Sequence, residues 1–200
     1  AMTVTACCTL VAYPVAYILA RSDIKKKNVL LVLFIAPMWI NFTLRVVALK
    51  EVLTMVEGNL AYHPFLNTVL GMTYDFLPFM ILPIYSVIIK LDGSLLEAAR
   101  DLGASSMTVF RRVILPLSLP GVISGITMVF VPSVSTFAIS RMLGGGTELL
   151  LGDLIERQFL GGAYNPQLGA AISLVMMIIV LVCMLVMNRF GEGEEQAVML

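Results

Sequence analysis

Histidine is nearly missing from this 200-residue chain: His63 stands alone, just before Pro64. Without a second histidine, no His pair, Ser–His set or His–Glu set forms, which argues against an enzyme. At a loop edge His63 reads as a boundary residue. Cysteine is scarce too. Cys7, Cys8 and Cys183 all lie inside apolar runs. Adjacent Cys7 and Cys8 point to different faces of a helix, which argues against joint metal binding; buried or lipid-facing small side chains fit better. No catalytic and no metal-ligating residues are expected. Charged residues make up 13% of the chain, with 13 basic and 13 acidic groups and a net charge of zero. A soluble domain carries about a quarter. No basic stripe survives outside the short loops, so the footprint of a nucleic-acid partner is absent. The sequence has no period-two alternation of the kind a membrane barrel needs, and no internal repeat.

What fills the space is apolar. Hydrophobic residues make up 59% of the chain and the mean hydropathy is +0.95. A membrane-crossing helix needs about 20 mainly apolar residues. Five runs qualify: 2–20, 28–49 with Arg45 near its end, 65–89 with Asp75, Pro78 and Pro83 inside, 119–139 with Pro132, and 168–188. Only helices or closed barrels satisfy the backbone in lipid. The expected fold class is therefore all-α, a polytopic membrane protein with one transmembrane domain over residues 1–190 and a polar, frayed tail over 191–200. The first run has no basic region before it, so it does not read as a signal peptide.

Lys and Arg in the short loops set the orientation. Arg21, Lys25, Lys26, Lys27, Lys90, Arg100, Arg111, Arg112 and Arg189 fall on one side, nine in all. The other side holds four: Arg45, Lys50, Arg141 and Arg157. The nine-rich side is expected to be cytoplasmic, with the C-terminus inside. On the outer side, Gly144-Gly145-Gly146 reads as a turn, followed by a short amphipathic helix through Leu149 to Ile155. Pro14, Pro37, Pro78, Pro83 and Pro132 fall in spans. They suit a protein that opens and closes, but proline is also simply commoner in membrane helices.

The inner loop from Lys90 to Pro116 is the long one. Ser94 with Glu97 three residues on forms a capping box, so a helix is expected from Leu95. Gly103 is suited to the left-handed turn that stops it. Ser105 or Ser106 then caps a second short helix containing Met107, Val109, Phe110 and Val113. Two short helices hinged at Gly103 make a compact knob with an apolar ridge and a charged rim. Small residues permit close approach of a partner and one aromatic, Phe110, fills a pocket. On composition alone, a pair of helices lying on the lipid surface fits equally well.

Glu97-Ala98-Ala99, three residues, Gly103, nine residues, then Val113-Ile114-Leu115-Pro116 resembles the signature of ABC importer permeases, with Val113 where Ile is usual. The resemblance implies that the loop docks into a groove on a cytoplasmic ATPase. Glu97, Ala98, Ala99 and Gly103, with Phe110, would lie at that contact. A narrower resemblance runs over most of the chain. Tyr13-Pro14-Val15-Ala16-Tyr17, Ala36-Pro37-Met38-Trp39, Leu44-Arg45, the stretch from Tyr74-Asp75-Phe76 to Tyr85, and Leu143-Gly144-Gly145-Gly146 with Gln158-Phe159-Leu160 are similar to spermidine/putrescine importer permeases, the first of their two subunits. Such permeases usually have six spans. Five are visible here, so the first is expected to be missing and the sequence to start downstream of the natural N-terminus. The resemblance further implies a prokaryotic cell membrane, two copies of an ATPase that binds the ATP, a second related permease, an extracytoplasmic polyamine-binding protein, and no cofactor in this chain. Import of another solute, such as iron, thiamine or an oxyanion, is the alternative. A secondary transporter or channel without an ATPase is a further one.

A polycation crossing lipid favours acidic groups and aromatic faces along its route. Asp75 lies midway through the third run, flanked by Tyr74 and Phe76. It reads either as part of the translocation path or as a structural partner of Arg45. Tyr13, Tyr17, Tyr74 and Trp39 line the path in the first reading; in the second, Tyr and Trp mark membrane interfaces.

Overall fold

The computed structural model describes residues 1–22, 27–144, 150–161 and 164–198. Lys25 and Lys26 of the inner charge count, and Gly145, Gly146 and Leu149 of the outer turn and helix, lie outside the described residues. Among the described residues the chain is helical throughout: α1 (Met2–Arg21), α2 (Lys27–Ile35), α3 (Phe42–Glu57), α4 (Pro64–Lys90), α5 (Gly93–Asp101), α6 (Ser106–Val109), α7 (Leu115–Ser135), α8 (Ala138–Leu143), α9 (Leu151–Leu160) and α10 (Pro166–Val198). Short 3-10 turns occupy Ala36–Trp39 and Leu60–Tyr62, and a π-helical turn, Phe110–Ile114, joins α6 to α7.

The core is the seam where α1 lies along α4 and α4 along α7, with α10 leaning on α7. Small side chains make the seam possible. Cys8, Ala12 and Ala16 recur every four residues on α1 and are fully buried, the spacing that puts them on one face. On α7, Gly121 and Gly125 repeat the device. A Cβ at Gly121 would sit 2.9 Å from the Pro83 carbonyl oxygen, and one at Gly125 2.6 Å from Met80 Sδ. Backbones that close pack by dispersion, the force left to helices in lipid. Outward-facing apolar side chains are abundant, including Leu174, Val175, Ile178 and Leu185 on α10, as a bilayer-facing helix requires.

Among the described residues, four helical stretches are long and apolar enough to cross a membrane: Met2–Arg21, Pro64–Lys90, Ser106–Ser135 and Pro166–Met187. The second apolar run, expected as one span over 28–49, is broken. Its two halves meet at 99°. Pro37 opens the 3-10 turn, having no N–H to continue an α-helix. Asn41 then starts afresh, its side-chain oxygen accepting from the Thr43 N–H at 2.9 Å. Counting the bent pair as one span gives five. The fourth run also differs in register: α7 ends at Ser135, and Ile139, expected as its end, belongs to α8. The tail expected to fray is helical through Val198, as the end of α10.

On the side expected to be outer, α8 and α9 are clipped together. Ser140 Oγ donates to Asp153 Oδ2 at 2.5 Å. The Leu150 N–H reaches the same oxygen at 2.9 Å, capping α9. Arg141 and Glu156 add an exposed pair at 2.7 Å. The short helix expected on this side is thus present, and it starts at Leu151.

Candidate functional site

The knob follows from its turn chemistry. Its first helix starts at Gly93, two residues before the expected Leu95. Asp92, not Ser94, is the N-cap, and its carboxylate accepts from the Ser94 N–H at 2.9 Å. That hydrogen bond holds the exposed Asp92 carboxyl below its ordinary value, since it favours the ionised form. At the other end, Gly103 has φ +82°. The Gly103 N–H bonds the Arg100 carbonyl at 2.8 Å and the Ala104 N–H bonds the Ala99 carbonyl at 3.1 Å. This pair of bonds around a left-handed residue is a Schellman motif. Ser105, one of the two serines expected to serve, caps α6 by accepting from the Thr108 N–H at 3.3 Å.

Glu97 and Ala98 are exposed, as is Gly103, while Ala99 is half-buried. Three of these residues thus lie on α5, and Gly103 lies in the turn that ends it. The apolar ridge beside them is Leu102, 90% exposed, and Met107, 64% exposed. Phe110, also expected at the docking contact, is partly buried with its ring toward α1, edge-on to Tyr13 at 5.8 Å and to Tyr17 at 5.4 Å. The reason is the π turn, in which the Leu115 N–H reaches back to the Phe110 carbonyl. Pro116 follows and has no N–H for the Arg112 carbonyl. A cavity of about 280 Å³ lies between the knob and the end of α1, lined by Tyr17, Arg21, Glu97, Arg100 and Ser106 among others. Arg21 spans it to donate to the Leu91 carbonyl at 3.1 Å.

The intramembrane residues separate into two sets. Arg45 Nη2 lies 2.7 Å from Asp75 Oδ1, with the side chains 8% and 2% exposed. The contact is charge against charge without hydrogen-bond alignment, and Arg45 Nε and Nη1 have no hydrogen-bond partner among the described residues. The pair joins α3 to α4, as the second reading of Asp75 expects. A second tie joins the same helices where Asn67 Nδ2 donates to Glu57 Oε2 at 2.9 Å. Tyr13 is buried, and its hydroxyl is 2.7 Å from Ser118 Oγ. Tyr13 thus packs against α7, while Tyr17 meets Phe110 of the π turn. Of the aromatics expected along the path, Tyr74 and Trp39 are exposed, at 45% and 81%.

The chain matches the family described as binding-protein-dependent transport system inner membrane component over residues 12–196. The chain belongs to that family. It is 38% identical over 203 residues to the spermidine/putrescine transport system permease protein PotB of Escherichia coli (strain K12), covering 94% of this chain and 74% of that protein. The Haemophilus influenzae PotB is 37% identical over 202 residues, covering 94% and 70%. Among solved structures, the inward-facing MetNI methionine ABC transporter has a chain that superimposes with a TM-score of 0.69 over 96% of this chain and 93% of its own, at 19% identity. That likeness shows the shared fold. This inner membrane component is accordingly a multi-pass membrane protein and a transport subunit.

Proposed function

We propose that this chain is one of the permease subunits of an ABC importer for polyamines, forming part of the path for spermidine or putrescine. The observation that carries the proposal is the exposed Glu97-Ala98-Ala99…Gly103 knob in a chain 38% identical to a spermidine/putrescine permease. A cytoplasmic ATPase in two copies grips the knob; ATP is bound there and not in this chain. A second, related permease completes the path, and an extracytoplasmic binding protein delivers the polyamine to the outer face. The excess of Lys and Arg in the loops on the knob side supports a cytoplasmic knob and a cytoplasmic C-terminus.

In this reading Glu97, Ala98, Ala99 and Gly103 form the docking contact, with Leu102 and Met107 as its apolar ridge. ATP binding closes the ATPases and drags the knob; hydrolysis resets it. The spans form the two-state element, and the nucleotide acts on it only through that contact. Along the path, the open face of Tyr74 suits an alkylammonium chain, and Trp39 offers another near the mouth. Asp75 acts there through its pair with Arg45, holding α3 against α4.

The test is reconstitution in liposomes with the ATPase, the second permease and the binding protein. Spermidine should stimulate ATP turnover and enter the vesicles, while iron, thiamine or oxyanions should not compete. ATP-driven uptake that a non-polyamine solute abolishes would refute the polyamine assignment.

A further inference from the structure

We infer that Phe110 is a positioning residue that carries movement of the knob into α1, by keying its ring between Tyr13 and Tyr17. The inference rests on the reading of the knob as ATPase-docked. Three observations converge on it. Phe110 begins the π turn and meets both tyrosines edge-on, at 5.8 and 5.4 Å. Tyr13 also holds the next part of the same helix, through the buried 2.7 Å contact with Ser118. The second helix of the knob, α6, forms one uninterrupted helical stretch with the π turn and α7, Ser106–Ser135.

The π turn is what makes these contacts compatible. In a straight α-helix, residues eight apart point about 80° away from each other. A π turn absorbs one extra residue, so that Phe110 and Ser118 face as residues seven apart would, about 20° from alignment. Both then face α1 and both reach Tyr13. Arg111 and Arg112, in the same turn, stay exposed. A knob pulled sideways therefore meets two tyrosine edges on α1 before it can slide. Ring packing of this kind shifts between discrete arrangements and does not deform smoothly. Without the ring, the knob keeps its caps and its outer surface, and α1 loses its grip on the stroke.

The experiment uses the complete importer in liposomes, with spermidine as the probe, and reads spermidine imported per ATP hydrolysed. Phe110→Ala should lower that ratio at least tenfold while the ATPase still co-purifies and basal ATP turnover persists. Phe110→Leu keeps apolar bulk but removes the ring edges, and should fall between. Phe110→Tyr should restore most of the ratio. Tyr17→Leu should lower it as well, and should add little to Phe110→Ala. A fold-only role would reduce the amount of assembled importer at constant ratio. An unchanged ratio in Phe110→Ala or Phe110→Leu overturns the inference, as does loss of the ATPase from Phe110→Ala, which would return the ring to the docking contact. A wild-type importer with no ATP-driven spermidine uptake overturns instead the functional reading beneath it.

Discussion

Replacing Gly103 tests the knob through a single backbone angle. Its φ of +82° lies where an L side chain is strained, at about 1–2 kcal/mol for a residue with a Cβ. A Cβ built there meets nothing within 4 Å, so strain is the whole cost and no clash adds to it. Gly103→Ala should therefore weaken the hinged conformation by about 1–2 kcal/mol, roughly 5- to 30-fold in its population. Asn tolerates the left-handed region better than Ala, so Gly103→Asn should lose less. Pro is worst. It fixes φ near −65° and removes the N–H that bonds Arg100 at 2.8 Å. The expected order of coupling is Gly, Asn, Ala, Pro. Each variant is carried with the full importer into liposomes and assayed for spermidine-stimulated ATP turnover and uptake. Insertion into the membrane is read separately and should not change, because Gly103 lies between spans. An Asn variant worse than Ala would refute the reasoning: side-chain volume against a partner, and not φ, would then govern the site. Wild-type coupling in the Pro variant would refute the knob itself.

Other perturbations follow from contacts at a distance from the hinge. Glu97→Lys should uncouple ATP turnover from uptake without loss of insertion, because it reverses charge on the exposed face; unchanged stimulation would count against docking there. Arg45→Ala or Asp75→Ala alone should destabilise the detergent-solubilised protein by about 3–5 kcal/mol, since each leaves a buried charge uncompensated, whereas Arg45→Met with Asp75→Leu should recover most of the loss in a thermal melt. Gly152→Ala places a Cβ 2.6 Å from the Ser135 carbonyl oxygen and 2.7 Å from that of Thr136; overpacking of about 1–3 kcal/mol should appear as a lowered melting temperature. Asp92 has its carboxyl lowered by the Ser94 N–H, so its cap is complete above the ordinary carboxylate range and fails only as pH falls through the lowered value. ATPase stimulation should thus show no Asp92-dependent step from pH 5.5 to 8, and wild type and Asp92→Asn should run parallel there.

What the sequence made legible was what depends on local chemistry. Apolar length marked α1, α4, α7 and α10, and the offset of Gly103 from Glu97 marked a helix stop that the structure realises with two specific hydrogen bonds. What it hid was direction. Hydropathy over 28–49 is continuous, but the chain turns by 99° inside it, because Pro37 and Asn41 act on backbone donors that an apolarity count does not register. Phe110 was hidden for the same kind of reason. Its residue type suits a docking pocket, and only the turn of the helix decides where it points. One absorbed residue changes that heading by about 100°. The signal was nonetheless present in Pro116, whose missing N–H frees the turn before it. The final proline of the Val113-Ile114-Leu115-Pro116 segment therefore has a geometric role: it sets the rotation between the part a motor would grip and the part that spans the membrane. Pro116→Ala restores an N–H for the Arg112 carbonyl, and should favour a straight α-helix with every residue kept and swing the knob by about that angle relative to α7. The Tyr13–Ser118 contact would survive, the Phe110 contacts would not, and cysteine pairs at 17 and 110 should crosslink in the parent and fail to do so in the Pro116→Ala background. Crosslinking that persists would mean that α1, and not the π turn, dictates where Phe110 lies.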